Sequence, residues 1–204
     1  MTNSFKRIAA ASAALLLASP TLQAESTYGY SATGATAVTA TARVNVNVTV
    51  PTLLLLRVGG DAAAISNLTL AIQPTGGIPG GSASPLTGGS SQASGWDGTA
   101  PVLSAAPASL TAYAWTNSTG GGNVNGLVTT PFLATSGLTA ADILVANTGT
   151  LVHPGANTGA FAATTFARNT LVSSTWAYSL SPAGLANAAA GAHTQVVTYT
   201  ASAL

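Results

Sequence analysis

The chain has 204 residues, of which only 4% are Asp, Glu, Lys or Arg, and it contains no Cys. Ordinary domains carry about 25% charged residues, and nucleic-acid binding needs clustered Lys and Arg, so nucleic acid is excluded as a partner. The absence of Cys excludes a disulfide framework and thiolate chemistry.

The N-terminus has the pattern of a secretory signal peptide. Lys6 and Arg7 precede the apolar run Ile8–Ala18, and the small residue Ala24 follows as a cleavage site. Such a segment is too short to span a bilayer. We therefore predict a signal peptide over residues 1–24 and an exported chain that passes through the periplasm to the cell surface or an extracellular fibre. No later segment has 18 consecutive apolar residues, so no membrane helix is predicted.

Residues 25–37 are rich in Gly, Ser and Thr and are predicted to form an extended N-terminal arm. From Val38 to Val50 apolar residues occupy the even positions and polar residues the odd ones. This period of two is typical of a β-strand, and we expect its apolar face to lie on a core. At about 3.3 Å per residue the tract would span about 43 Å, so it bends or its first half leaves the domain. Pro51 should end the ladder, and the apolar run Leu53–Leu56 predicts a strand covered on both sides.

Further strands follow at turn-bounded intervals, without a long helix between them. They are predicted over 65–72, 110–115, 126–133, 144–152, 160–167, 171–180 and 194–203, and Pro131 indicates that 126–133 is an edge strand. We therefore predict an all-β fold, an antiparallel β-sandwich over residues 38–204. Residues 73–101 are predicted to be a loop, in which Trp96 either caps the core or forms a contact surface.

The sequence contains no recognisable catalytic or metal-binding motif. There is no G-x-S-x-G motif, the three Asp residues are isolated from one another, and His153 and His193 are the only histidines. We interpret both histidines as partly exposed loop residues, because a triad needs a positioned nucleophile and acid. The prediction is a protein that is not an enzyme and has no catalytic residue, no metal site and no cofactor.

An exported all-β chain with an extended arm, a long Thr/Val strand and an alternating C-terminal strand resembles a bacterial fimbrial (pilin-like) subunit. In that family an immunoglobulin-like sandwich lacks one strand, and a neighbour's N-terminal extension completes it by strand addition. In this chain Gly191 precedes the terminal alternation as in the family's C-terminal motif, but Ala203 replaces the usual aromatic residue and no disulfide is possible. The resemblance implies strand exchange through Tyr28, Tyr30, Ala32, Gly34, Val44, Val46, Val48, Val50, Val197, Tyr199 and Ala201.

Three functions are therefore considered. The first is a structural subunit of a surface fibre or extracellular matrix, whose partners are copies of itself or related subunits and, as the resemblance implies, a periplasmic assembly chaperone. The second is a secreted adhesin or carbohydrate-binding module, which would need exposed aromatic faces at Trp96, Trp115 and Trp176. The third is a small outer-membrane β-barrel, whose strands would also alternate.

Overall fold

The computed structural model describes residues 25–61, 64–83, 86 and 88–204. The predicted signal peptide, residues 1–24, lies outside the described residues. The chain forms two compact units, Met1–Val50 and Pro51–Leu204. The division therefore falls directly after the alternating tract, at the proline that was expected to end its ladder.

In the first unit, residues 25–50 contain no helix and no strand, and nearly all of them are exposed. The prediction that the even face of Val38–Val50 lies on a core is wrong for this single chain. The backbone is extended, but no neighbouring strand forms a ladder with it among the described residues. An alternating sequence supplies a suitable face, whereas burial also requires a second surface.

Within its described residues, the second unit contains nine strands and one short α-helix. The strands are β1 Leu54–Val58, β2 Ile72–Pro74, β3 Leu103–Ala105, β4 Ala108–Thr116, β5 Gly122–Thr130, β6 Ile143–Gly149, β7 Thr164–Phe166, β8 Val172–Leu180 and β9 Val196–Ala203. The helix, α1, spans Pro182–Asn187 and begins after Ser181, whose hydroxyl accepts a hydrogen bond from the Gly184 N–H.

Two antiparallel sheets form the sandwich. One has the order β1-β4-β8-β6 and the other the order β7-β5-β9, while β2 and β3 form a separate two-stranded ribbon. The prediction of an all-β antiparallel sandwich is confirmed. The interpretation of residues 126–133 as an edge strand is wrong, because β5 is the central strand of its sheet. It ends at Thr130, so the missing donor of Pro131 does not interrupt the ladder.

The core lies between the two sheets and is centred on Trp176. This side chain is fully buried, and its indole N–H donates a hydrogen bond to the Leu151 carbonyl at 3.0 Å. The inward residue Ala112 on β4 is small and is a diagonal neighbour of Trp176 on the adjacent strand β8, while Leu110 lies directly opposite Trp176. Ring centroids of Trp176 and Tyr199 are 5.0 Å apart, so β8 and β9 contact each other across the sandwich.

The first strand of the sandwich is covered on one face only. Leu54 and Leu56 pack against the core, whereas Leu55 is 53% exposed. The prediction of a strand covered on both sides is therefore wrong. A run of four leucines does not show whether one face of the strand or both faces are buried. Burial of the outer face requires a further layer of the protein, and Leu55 is largely uncovered.

We expect Trp176→Ala to lower the free energy of unfolding by about 3–5 kcal/mol, since it removes a fully buried aromatic side chain. Urea denaturation followed by circular dichroism measures this loss. Trp115→Ala is the matched control, because Trp115 lies half-buried on the outer face of β4, and its loss should be clearly smaller. Equal losses for the two variants would contradict the assignment of Trp176 to the centre of the core.

Asp142 ties a single 3₁₀ turn to the start of α1. One carboxylate oxygen accepts bonds from the Thr139 N–H and hydroxyl, both at 2.8 Å, and the other accepts from the Ser181 hydroxyl at 2.7 Å. Thr139 and Asp142 thereby form a capping box at this turn. These donors, Ser181 first and then Thr139, lower the pKa of Asp142 below its usual value.

A lowered carboxyl pKa stabilises the fold above the unfolded-state pKa of about 3.9, and this contribution is lost as the pH falls through the folded-state pKa. We expect Asp142→Asn to be less stable than wild type at pH 7. Below about pH 4 the two proteins should converge, which thermal unfolding across pH 2.5–7 measures. A constant difference over the whole range would contradict this account.

Candidate functional site

The exposed arm residues form the first part of the candidate site. Their apolar positions alternate along an extended backbone, and the side chains are almost fully accessible in the last seven residues. The exposed fractions are 84% for Val44, 80% for Val46, 77% for Val48 and 70% for Val50. Isolated apolar residues are common on protein surfaces, but four on one face of one extended segment form a continuous apolar face, which none of the described residues covers.

Residues 25–50, which together are called the arm from here on, begin with a segment, residues 25–43, that folds back on itself. The Thr27 hydroxyl donates to the Thr41 carbonyl at 2.7 Å and accepts from the Thr41 N–H at 2.8 Å. Further from the turn, the Arg43 guanidinium Nε lies 2.9 Å from a Glu25 carboxylate oxygen. The hydrogen bond from Arg43 lowers the pKa of Glu25. These contacts are exposed and of the kind that contributes little stability in water, so this hairpin-like fold is easily opened.

Of the predicted interface residues in the arm, Tyr28 and Tyr30 lie within this folded-back segment and are 88% and 77% exposed. Ala32 and Gly34 lie in its bend, where Gly34 has a φ of 65°. The four valines of residues 44–50 come directly after the segment that folds back. The arm therefore consists of a self-paired segment, residues 25–43, and a shorter segment without partners among the described residues, residues 44–50, called the unpaired segment.

The C-terminal strand forms the second part of the candidate site. Val197, Tyr199 and Ala201 face the core, and Thr198, Thr200 and Ser202 face outward, which confirms the predicted alternation. β9 forms a ladder with β5 along its whole length, but its other edge carries no ladder in the part of the chain that is described. An edge strand of this kind presents N–H and C=O groups to any added strand.

β1 also has a free edge, because it is hydrogen-bonded only to β4 among the described strands, while β6 and β7 form the opposite edges of the two sheets. Cα atoms of β1 and β9 approach within 8 Å of each other, although no ladder joins the two strands. Paired strands lie about 4.8 Å apart, so an inserted strand would need a separation of about 9.6 Å. The inward residues Leu54, Leu56, Tyr199 and Ala201 are only partly buried. We call this space between β1 and β9 the β1–β9 seam.

His153 is buried, with 3% of its surface exposed, so its interpretation as a partly exposed loop residue is wrong. Its ring nitrogens contact the Gly155 carbonyl and the Tyr199 hydroxyl, and neither contacts a serine or a carboxylate. Burial lowers its pKa. Sequence analysis missed this residue because its partners come from strands that are distant in sequence. The inward register of Trp176, Tyr178 and Tyr199 was the available indication of an aromatic cluster.

The three tryptophans lie in different environments. Trp96 is 58% exposed and donates a hydrogen bond to the nearby Thr99 carbonyl at 2.6 Å, so the interpretation of Trp96 as a core cap is wrong. Its role in a contact surface stays a prediction. Trp115 is half-buried on an outer sheet face, and Trp176 has no exposed surface.

No group of three or more His, Cys, Asp or Glu side chains is placed to hold a metal ion within the described ranges. None of the helices in the same ranges has the length and apolarity that crossing a bilayer requires. The comparisons with known proteins found no family model, no curated protein and no solved structure that matches this chain.

Proposed function

We propose that this chain is a structural subunit of an exported surface fibre or extracellular matrix, and that it polymerises by β-strand addition. In this proposal the unpaired segment of the arm, residues 44–50, joins the β1–β9 seam of another copy. The observation that carries the proposal is the apolar face of Val44, Val46, Val48 and Val50, which is exposed in the single chain.

The energetic argument begins with these four valines. Burying one valine side chain contributes about 1.5 kcal/mol or more, and adding a strand also satisfies backbone groups along a sheet edge. As a strand, residues 44–50 would span about 23 Å, and β9, with eight residues, spans about 26 Å. The unpaired segment is therefore long enough to cover nearly the whole edge of β9.

The shape of the acceptor supports the same function. The seam is lined by partly buried apolar residues, and both strands that border it have a free edge in the described part of the chain. An added strand would have to widen the seam by a few ångströms. In return it would cover Leu54, Leu56, Tyr199 and Ala201 from the side that β1 and β9 leave open.

The low charge of the chain also favours assembly from copies of itself. With 4% charged residues, two copies meet with little repulsion, whereas free monomers are normally kept apart in solution by net charge. The predicted signal peptide would direct the chain through the periplasm. There an assembly chaperone that covered the seam would keep the exposed arm from pairing too early.

The arm offers a matched pair of variants because its two faces alternate. Val46→Asp with Val48→Asp should abolish polymer, since it brings charges to the face that enters the seam. Asn45→Asp with Asn47→Asp adds the same charges on the opposite face and should preserve polymer. Sedimentation and negative-stain microscopy measure the assembly, and the melting temperature of the sandwich should be unchanged in both. Normal fibres from the valine variant would overturn the proposal.

Deletion of residues 26–37 tests the contribution of the self-paired segment. We expect a folded monomer that no longer polymerises, because the deletion removes Tyr28, Tyr30, Ala32 and Gly34, the predicted donor residues. Size-exclusion chromatography distinguishes the two states. Intact fibres from this deletion would contradict strand exchange through these residues.

Because the chain has no Cys, introduced cysteines can identify the acceptor edge. Asn47→Cys in one copy should form a disulfide with Thr198→Cys, Thr200→Cys or Ser202→Cys in another copy on mild oxidation. Thr148→Cys, at the opposite sheet edge on β6, is the control and should stay reduced. Crosslinking to Thr148→Cys alone would show that the acceptor edge is β6 and would contradict the β1–β9 seam.

A second candidate function, a secreted adhesin or carbohydrate-binding module, is favoured by the exposed ring of Trp96. Its indole N–H is satisfied within its own turn, which leaves the aromatic face for stacking on a sugar. Glycan-array binding that is lost in Trp96→Ala but kept in Trp115→Ala would support this function. Absence of binding by the wild-type chain would dismiss it.

A further inference from the structure

The β6–β7 connection carries a buried histidine that is hydrogen-bonded to the terminal strand. His153 Nε2 lies 2.7 Å from the Tyr199 hydroxyl of β9, and that hydroxyl lies 2.9 Å from the Tyr178 hydroxyl of β8. On the other side of the ring, Nδ1 lies 2.5 Å from the Gly155 carbonyl. The three side chains therefore join a loop and both sheets through one chain of hydrogen bonds.

The direction of each bond follows from the carbonyl at one end. A carbonyl only accepts, so Nδ1 carries the proton and donates to Gly155, and Nε2 of the neutral ring is left as an acceptor. The Gly155 N–H also approaches Nδ1, but at 3.2 Å, and we assign the proton by the shorter contact. The Tyr199 hydroxyl then donates to Nε2, and the Tyr178 hydroxyl donates to Tyr199. Every member is satisfied only while His153 is neutral.

The surroundings offer no counter-charge for a protonated ring. His153 is enclosed by Trp176, Tyr178, Tyr199 and Phe161, with ring centroids 4.8–6.0 Å away. The titratable groups that face it are Tyr178 from β8 and Tyr199 from β9, and burial raises the pKa of both hydroxyls. No carboxylate, Lys or Arg forms a hydrogen bond or ion pair with His153 within the described residues.

We propose that the His153–Tyr199–Tyr178 chain is an acid-sensitive latch on β9, which holds the strand at neutral pH and loosens it when His153 is protonated. A proton added at Nε2 turns this atom from an acceptor into a donor, so the Tyr199 hydroxyl must reverse and donate to Tyr178. The Tyr178 hydroxyl hydrogen then has no acceptor in the buried cluster. Acid thus creates an unpaired donor and an uncompensated charge together, and both are costly when buried.

The pH range follows from the sign of the shift. Burial lowers the pKa of His153 in the folded state, whereas in the unfolded chain it is about 6.5. The unfolded or locally opened state therefore binds more protons as the pH falls below about 6.5, and the latch weakens from that point downward. This range is separate from that of Asp142, which lies below about pH 4.

The latch bears on assembly because β9 borders the seam. If the proposed strand addition is correct, mild acid would favour opening of the seam and exchange of the arm; this consequence rests on the proposed function. The latch itself does not, since it concerns the hold on β9 within one copy. Its test therefore uses local opening of β9 in the full chain, and no fibre assay.

Hydrogen exchange of the β9 backbone amides at pH 7.5 and pH 5.0, corrected for the intrinsic pH dependence of exchange, measures the opening. In the wild-type chain we expect β9 protection to fall at pH 5.0 by up to about tenfold per unit of pKa difference, with β4 and β8 less affected. His153→Gln, which cannot titrate, should lose this pH dependence. His193→Gln, the control on a more accessible histidine, should keep it.

An equal loss of protection in the wild type and in His153→Gln would overturn the latch, and so would a wild-type β9 that is equally protected at both pH values. If His153→Gln does not fold, the imidazole resonances of the wild-type chain decide. Titration of the His153 ring well below pH 6.5 supports the latch, whereas titration at or above the ordinary histidine value overturns it. Fibres that form without the expected pH response of β9 would refute the latch and leave strand addition standing.

Discussion

An extended segment with one apolar face is stabilised only by a sheet that it can join, and residues 44–50 have no such sheet in the described part of their own chain. The valine side chains remain in water, and the backbone on both edges of the segment lacks a ladder. At the other end, β9 has a ladder on one edge and none on the other. The proposal of strand addition follows from these two unmet requirements, because each supplies what the other lacks.

The sandwich itself is built by pairing very small residues with aromatic ones. Ala112 is a diagonal neighbour of Trp176 across β4 and β8, and on the other sheet a Cβ at Gly122 would collide with the Phe166 ring. Close packing requires such complementary volumes when the core has few large aliphatic side chains. The small number of large aliphatic side chains also explains why polar groups enter the core. His153, Tyr178 and Tyr199 fill space as rings and form hydrogen bonds with one another.

The outward-facing residues of the second sheet are nearly all uncharged, in agreement with the low charge of the chain. Across β5 and β9 most outward residues are amides and hydroxyls, with the exposed Leu127 as an exception. Asn123 pairs with Ser202, and Asn125 pairs with Thr200. The Thr129 and Thr198 hydroxyls lie 3.1 Å apart. Such a surface is hydrated without long-range electrostatic repulsion, which suits close packing of many copies.

The alternation in the sequence alone determines the all-β class, the sorting of side chains onto the two faces of β4, β8 and β9, and the extended character of Val38–Val50, because side chains of a strand change face at every residue. Only the tertiary structure decided which of these faces is buried. It left the valines of the arm in water, made β5 a central strand, exposed Trp96 and enclosed His153. The physical reason is that a local pattern specifies the face a strand presents, whereas burial depends on which distant strands arrive to cover it.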